Sequence, residues 1–230
     1  MVVEFQYKPI NASQTSADIV VVIDVLRAFS TAAYAFSAGV DKIFPVSTVE
    51  DAFSMRQHFP EARLMGEVGG LPIEGFDYGN SPASFLGQNL TGVNMIQRTS
   101  AGTQGVVLNI NASLLIASCF CCASATARYI SIFNPHEVAF IITGSGSEDG
   151  GAEDLACAEL IAASIMGIKT RVLGYVNRVK ASSSAQKFLD PGKVDFPRAD
   201  LELSLLVDRF NFTMVVDRQD DLLTIKPVVV

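Results

Sequence analysis

The segment that most constrains this chain is Asp18-Ile-Val-Val-Val-Ile-Asp-Val-Leu-Arg-Ala-Phe-Ser-Thr31, where a run of branched apolar residues ends abruptly in a carboxylate, an arginine and hydroxyls. Ile19 to Ile23 shows no polar alternation, the pattern of a strand buried on both faces at the centre of a parallel sheet. Asp24 is then delivered to the carboxyl end of that strand, the edge at which open α/β sheets bind ligands. Arg27, Ser30 and Thr31 open the small-residue run from Ala28 to Ala38, which stops at Gly39 and reads as a helix with a glycine at its carboxyl end.

Strand and helix patterns alternate along the rest of the chain. Lys42 to Val46 reads as a strand, and Ser47-Thr48-Val49-Glu50-Asp51 is a capping-box pattern opening a helix to about His58. Arg63 to Met65 is a short strand. The polar loop Gly66 to Ser81 follows, closed by Ser81-Pro82 as N-cap and first-turn pair of a helix through Leu86. Val93 to Gln97, Leu114 to Ser118 and Val138 to Thr143 read as strands, Thr103 to Leu108 and Ala123 to Phe133 as helices. Ala152 to Met166, ended by Gly167, reads as an amphipathic helix. In the last quarter the patterns predict helices over Arg171 to Leu189 and Leu201 to Phe210, a loop over Pro191 to Ala199, and closing strands at Thr213 to Val216 and Leu222 to Val229. With no repeat or linker, the alternation predicts a single domain over residues 1–230, a three-layer α/β/α sandwich around a mainly parallel sheet.

Composition narrows the partners. The 230 residues are 49% hydrophobic, enough for a sizeable core, and 17 Lys and Arg against 24 Asp and Glu give a net charge of -7. That balance argues against a nucleic-acid partner, because too little positive charge is concentrated to replace phosphate counterions. An anionic ligand must instead be held locally, by a few arginines, helix N-termini or a cation. No apolar run reaches the roughly 18 residues of a membrane span, and the start of the chain lacks a signal peptide's basic flank and apolar core. The expectations are a cytoplasmic protein with no membrane partner and, from its apolar composition, a homodimer. The 4 cysteines suit reduced, mostly buried thiols.

Polar chemistry gathers in loops that follow strands. Asp24 with Arg27 reads in two ways. Asp24 can cap the following helix by accepting from the Arg27 amide; alternatively it serves as a magnesium ligand or nucleophile while Arg27 grips a substrate oxyanion. The loop Gly66-Glu-Val-Gly-Gly-Leu-Pro-Ile-Glu-Gly-Phe-Asp-Tyr-Gly-Asn-Ser-Pro82 sets Glu67, Glu74 and Asp77 among glycines, with apolar residues that pack it down. Three acids on one such loop call for something positive, and magnesium takes oxygen ligands while keeping waters that it can orient. Arg98-Thr-Ser-Ala-Gly-Thr103 offers hydroxyls and free amides for an oxyanion, with Arg98 to neutralise charge. Gly144-Ser-Gly-Ser-Glu-Asp-Gly-Gly-Ala-Glu-Asp154 is acidic and spaced wrongly for a dinucleotide fingerprint; Glu153 and Asp154 suit the following helix's N-terminus, and Glu148, Asp149 or Asp154 could join a metal shell.

Cys122-Ala-Ser-Ala-Thr-Ala-Arg128 has the spacing of a thiol phosphatase but no glycine to open an amide cradle. His58 and His136 sit beside prolines, away from these loops.

In order along the chain, Asp24-Val-Leu-Arg-Ala-Phe-Ser-Thr31, Ile73-Glu-Gly-Phe-Asp-Tyr-Gly-Asn-Ser-Pro82, Thr99-Ser-Ala-Gly-Thr103 and Glu153-Asp-Leu-Ala-Cys-Ala158 resemble the successive motifs of the 2-phosphosulfolactate phosphatase family. The resemblance implies a magnesium-dependent phosphoric monoester hydrolase that converts 2-phospho-3-sulfolactate to sulfolactate in coenzyme M biosynthesis. It makes Asp24, Arg27, Glu67 and Asp77 the candidate catalytic residues and Asp24, Glu67, Glu74 and Asp77 the candidate ligands of Mg2+. Arg27, Ser30, Asn80, Arg98, Thr99, Ser100, Gly102 and Thr103 become candidates for holding a small phosphorylated hydroxy acid. Two positions depart from the family pattern: Val68 stands where an arginine is usual and Ala101 where an asparagine is usual. Each removes a side chain able to bind an oxyanion, which leaves Arg98 to compensate. The alternative function is a small-anion or metabolite-binding protein without turnover.

Overall fold

The computed structural model describes residues 3–11, 15–146, 150–219 and 222–230. Elements are numbered in chain order. Strand β2 (Ile19–Ile23) is buried along its whole length and pairs in parallel with β7 (Leu115–Ser118) on one side and β8 (Glu137–Ile142) on the other. Its side chains alternate between two cores, Val20 and Val22 entering one and Ile19, Val21 and Ile23 the other. Two apolar faces need two covering layers. Helices α1 (Ala28–Ser37) and α3 (Gly102–Leu108) supply one, α4 (Ala123–Ile132) and α5 (Ala152–Ile165) the other.

The remaining strands are β1 (Glu4–Pro9), β3 (Lys42–Val46), β4 (Arg63–Val68), β5 (Leu71–Pro72), β6 (Asn94–Arg98), β9 (Phe212–Gln219) and β10 (Leu222–Val229). Together they make a 10-stranded sheet in the order β1-β8-β2-β7-β9-β10-β3-β6-β4-β5. The chain is thus the α/β sandwich expected, on a mostly parallel sheet. β1, β8, β2 and β7 form one parallel block and β3, β6 and β4 another, joined through antiparallel β9 and β10. The closing strands read from sequence therefore lie in the middle of the sheet, and Met214 and Ile225 are fully buried there.

The joint decides where the strand ends meet. Its antiparallel pairings leave β3, β6 and β4 formally opposed to β2. Sheet twist accumulates at about 20–25° per strand, so the steps from β2 across to β4 turn β4 through well over 100°. The carboxyl ends of β2, β4 and β6 are thereby brought to one cavity. Helix α1 lies between the blocks: nine of its ten residues are buried, and its core takes side chains from β2, β3, β4 and β6 alike. Its alanines permit that close approach.

Several local expectations are corrected. Helix α5 is buried at nine of fourteen positions and is not amphipathic, because α4 and α6 (Val172–Lys180) pack on it in addition to the sheet. The helix expected over 171–189 breaks at Ser182, whose hydroxyl caps the short α7 (Ser183–Gln186), and the last helix is α8 (Arg198–Ser204). Pro82–Phe85 is a single 3-10 turn, and the Ser81 hydroxyl donates to Asp200 instead of capping it. β1 is an edge strand that the sequence analysis left unassigned. The Thr48–Asp51 capping box forms as read. No described helix is long and apolar enough to cross a membrane.

Gly66 fixes the approach of β4 to β6. Its φ is +148°, and a Cβ there would sit 1.8 Å from the Arg98 carbonyl oxygen, a clash with backbone that no rotamer relieves. Gly66→Ala is expected to cost about 2 kcal/mol or more, on the scale of overpacking with backbone displacement. Urea denaturation of the variant checks this; an unchanged midpoint would show that the two strands are free to separate.

Candidate active site

At the converging strand ends lies a cavity of about 180 Å³ lined by Asp24, Arg27, Glu67, Asn80 and Ser100, with Gly69, Gly70 and Ala101 from the loops and Ser184, Lys187, Phe188 and Phe196 from the C-terminal quarter. A larger groove, about 620 Å³, opens between α2 (Val49–His58), α3 and β10. Its one acidic lining residue, Asp51, is spent on the capping box of α2, so the smaller cavity is the candidate active site.

Asp24 is its centre. The side chain is 6% exposed, and Oδ1 accepts from the Ala28 amide, one residue beyond the Arg27 amide expected from sequence. The capping role anticipated for it is thus formed by one oxygen, with the donor shifted by one residue. Burial above all pushes its pKa up from 3.8 to about 7; the Ala28 amide opposes this, and the carboxylates of Glu67 and Glu153 push further. Gly102 makes room beside it, since a Cβ there would lie 2.8 Å from Asp24 Oδ2 and 2.7 Å from the Ala28 methyl.

Asp154 is equally enclosed. It accepts from the amides of Val25 (2.8 Å) and Gly144 (2.8 Å) and from the Thr143 hydroxyl (3.0 Å), tying the end of β2 to α5. Burial, then the charges of Asp24 and Glu153, hold its pKa well above the usual carboxylate range. The expectation for Glu148 and Asp149 lies outside the described residues.

Glu67, the penultimate residue of β4, accepts from the Ser100 amide and hydroxyl and from the Gly70 amide, locking the β4–β5 turn against the loop after β6. Asn80 lines the cavity with its buried amide oxygen lacking a hydrogen-bond partner. The amides of Thr99 and Thr103 are taken by each other's hydroxyls, and Ser100's by Glu67. Of the expected oxyanion nest, the Ala101 and Gly102 amides are those left beside Asp24.

The structure does not bring every expected residue here. Asp77 faces away, held by Arg56, Arg63 and the Leu64 amide as a strut of the loop, and Glu74 is exposed. Ser30 donates to the Val25 carbonyl within the α1 turn. Arg98 donates to the Glu67 carbonyl at 2.7 Å, and Thr99 and Thr103 cap α3; none of the three lines the cavity. The thiol alternative also fails on geometry. Cys122 is fully buried, its pKa raised by the neighbouring Cys119 thiol and by burial, and Arg128 turns to Asn211 and the Val230 carbonyl. Neither histidine lines the cavity.

Arg27 follows the Leu26–Arg27 peptide bond, which is cis, and is more constrained than a free oxyanion clamp. Nη1 donates to Asp200 Oδ2 and to the Asp195 carbonyl, both at 2.8 Å, and Nη2 to the Gly70 carbonyl at 3.0 Å. The rings of Phe188 and Phe196 flank the guanidinium at 5.3 and 4.8 Å. Asp200, fully buried, also accepts from the Ser81 hydroxyl and the Ala83 amide. Sequence reasoning missed Asp200, whose first-turn position in a short helix carries no sign of a contact 173 residues away.

A family model described as 2-phosphosulpholactate phosphatase matches residues 5–218. The chain belongs to the 2-phosphosulfolactate phosphatase family. A relative from Bacillus subtilis strain 168, called a probable 2-phosphosulfolactate phosphatase, is 34% identical over 97% of this chain and 98% of its own length. Proteins with the same description from Carboxydothermus hydrogenoformans (36% identity; 70% of this chain, 66% of theirs) and Clostridium perfringens strain 13 (32%; 80% and 77%) are also similar. Membership in this family sets the class of activity, phosphoric monoester hydrolysis.

Two outcomes test the site as built. Asp24 titrates near 7 when folded and near 3.8 when unfolded, so the unfolded chain releases its proton first and stability falls as pH rises between those values. In chelator, Asp24→Asn should match the wild type at about pH 4 and exceed it by on the order of 1–4 kcal/mol at about pH 8, read by thermal denaturation; a gap independent of pH would show that ionising Asp24 costs nothing. Asp200→Ala strands a buried guanidinium and should lose about 3–5 kcal/mol, while joint replacement of Arg27 by Met and Asp200 by Leu should restore most of it. Chemical denaturation of all three proteins measures this.

Proposed function

We propose that this protein hydrolyses the phosphate monoester of a small hydroxy acid, 2-phospho-3-sulfolactate first among candidates, in a step of coenzyme M biosynthesis that uses magnesium. The observation that carries the reading is Asp24: a carboxylate at a strand's carboxyl end whose pKa is raised to about 7 by burial above all and further by the neighbouring Glu67 and Glu153, with Oδ2 packed against Gly102. Crowded carboxylates of this kind are the arrangement a cation relieves. The substrate class in the relatives' names also suits the space, since about 180 Å³ is well below the roughly 300–1,000 Å³ of sites for drug-sized ligands.

The residues fit a magnesium ion. Among the described residues no group of three or more Asp, Glu, His and Cys side chains is arranged to hold a metal. Magnesium usually takes only one or two carboxylates, leaving waters and substrate phosphate to complete its octahedron. Asp24 and Glu67, with the unpartnered amide oxygen of Asn80, are the groups that would hold it. When bound, such an ion polarises the phosphoryl group and acidifies water. The chain's own contribution is positional. Glu67 fixes the Ser100 loop, the Ala101 and Gly102 amides face the charge that develops on the phosphoryl oxygens, and the Phe188 and Phe196 wall excludes water. Asp24 Oδ2 either orients the attacking water or attacks phosphorus itself, with the hydroxy acid's oxygen leaving and the resulting acyl phosphate then hydrolysed. Rapid acid quench during turnover of an ester labelled in its phosphate distinguishes the routes, because only direct attack leaves labelled phosphate covalently bound to Asp24.

Release of phosphate from 2-phospho-3-sulfolactate is expected with magnesium, to be abolished by chelator, to fall about 100-fold or more in Asp24→Asn, and to persist in Cys122→Ser. Turnover indifferent to chelator sinks the metal reading, and binding of the ester without turnover leaves a metabolite-binding protein.

A further inference from the structure

We propose that Lys187 selects substrates bearing a second anionic group, a carboxylate or sulfonate beside the phosphate ester; the inference rests on the phosphatase reading and assigns a specificity-determining residue to it. A doubly anionic substrate needs a cation at each end of the cavity. The groups placed at the phosphate end are Asp24, Glu67 and the loop amides, none of them a cationic side chain. Arg27 lines the wall, but its charge is offset by Asp200 and its Nη atoms donate to Asp200, Asp195 and Gly70, which fix it in the wall. Val68, where the family pattern has an arginine, is 47% exposed and does not line the cavity. Arg98, expected to compensate, donates to the Glu67 carbonyl and does not line it either.

Lys187 does line it. It is exposed and makes no ion pair with a described residue, and its position is fixed by its neighbours. Phe188, 4% exposed, meets Phe196 edge-on at 5.5 Å and stacks on Arg27, while its amide donates to the Ala185 carbonyl at the end of α7. The result is a solvent-exposed lysine at the cavity wall whose backbone is held by its buried neighbour Phe188. An ammonium is a point charge with no planar demand, so it accepts a tetrahedral sulfonate as readily as a planar carboxylate. Ser184 lines the cavity one turn earlier.

Two esters isolate the contact: 2-phospholactate and isopropyl phosphate, which share the phosphate and differ in the carboxylate. The ratio of their kcat/KM values should fall about tenfold in Lys187→Ala, chiefly through KM for 2-phospholactate, as expected for losing one charge-assisted contact. It should fall further in Lys187→Glu and largely recover in Lys187→Arg. A ratio in Lys187→Ala equal to that of the wild type overturns the proposal. Should the wild type hydrolyse neither of these esters nor 2-phospho-3-sulfolactate, the phosphatase reading fails separately. Titration calorimetry of both esters into Asp24→Asn, with and without Lys187→Ala, then decides the role of Lys187: a preference for 2-phospholactate that vanishes with the lysine upholds it, and its persistence or its absence throughout overturns it.

Discussion

The cavity depends on one buried ion pair. Arg27 is 5% exposed and Asp200 fully buried, and between them they touch the turn after β2, the β4–β5 turn through Gly70, the Ser81–Ala83 turn and the C-terminal stretch through Asp195, Phe188 and Phe196. Such a pair is poor value as stabilisation, because desolvating two charges costs about as much as their attraction returns. What it provides here is registry. Four segments far apart in sequence each present a group to one of the two charges, and a displaced segment would leave a buried charge short of partners.

Against this rigid wall the floor is held under tension. Asp24, Glu67, Asp154 and Glu153 bring four carboxylates to the same strand ends, and burial together with mutual repulsion raises the pKa of Asp24 and Asp154. The hydrogen bonds around them share the work unevenly. Asp154 is saturated by three donors and serves as structure, and Glu67 is committed to Ser100 and Gly70. Asp24 spends one oxygen on Ala28, and its other oxygen lies against Gly102. Strongly perturbed groups tend to mark functional sites, and here the perturbation has named physical causes.

How much of this could be read from residues alone follows the range of the interactions. β2 was legible because five consecutive branched residues admit one reading, and Asp24 with it, since a strand end fixes a position without knowledge of its partners. The Thr48–Asp51 box was legible for the same reason, its partners being three residues apart. The central place of β9 and β10 was not, because the pairing of Ile116 with Val215 and Ile43 with Ile225 is a choice among apolar strands of similar character. Glu74 and Asp77 misled for a related reason. Acids interleaved with glycines suit a ligand loop, but the arginines that claim Asp77 come from α2 and β4, and Arg56 lies on a helix face no motif connects to the loop. Asp200 and Lys187 were invisible for want of any local pattern.

The division of labour follows from that difference in range. The groups to which the proposed function gives the phosphate chemistry come from strand ends and the turns after them, whose geometry the sheet dictates: Asp24 after β2, Glu67 in β4, Ser100 to Gly102 after β6. Groups facing the rest of the ligand come from Ser184 to Phe196, a stretch of short helices and turns that the sheet does not constrain and that is docked by Arg27 and its two aromatic neighbours. Changes in the C-terminal stretch can therefore alter what the cavity accepts while leaving the strand ends in place, provided Asp200, Phe188 and Phe196 keep their grip on Arg27. In the proposed site, Val68 and Ala101 in place of two oxyanion-binding side chains leave the phosphate end intact, because that end is assigned to a buried carboxylate and backbone amides, which neither substitution touches.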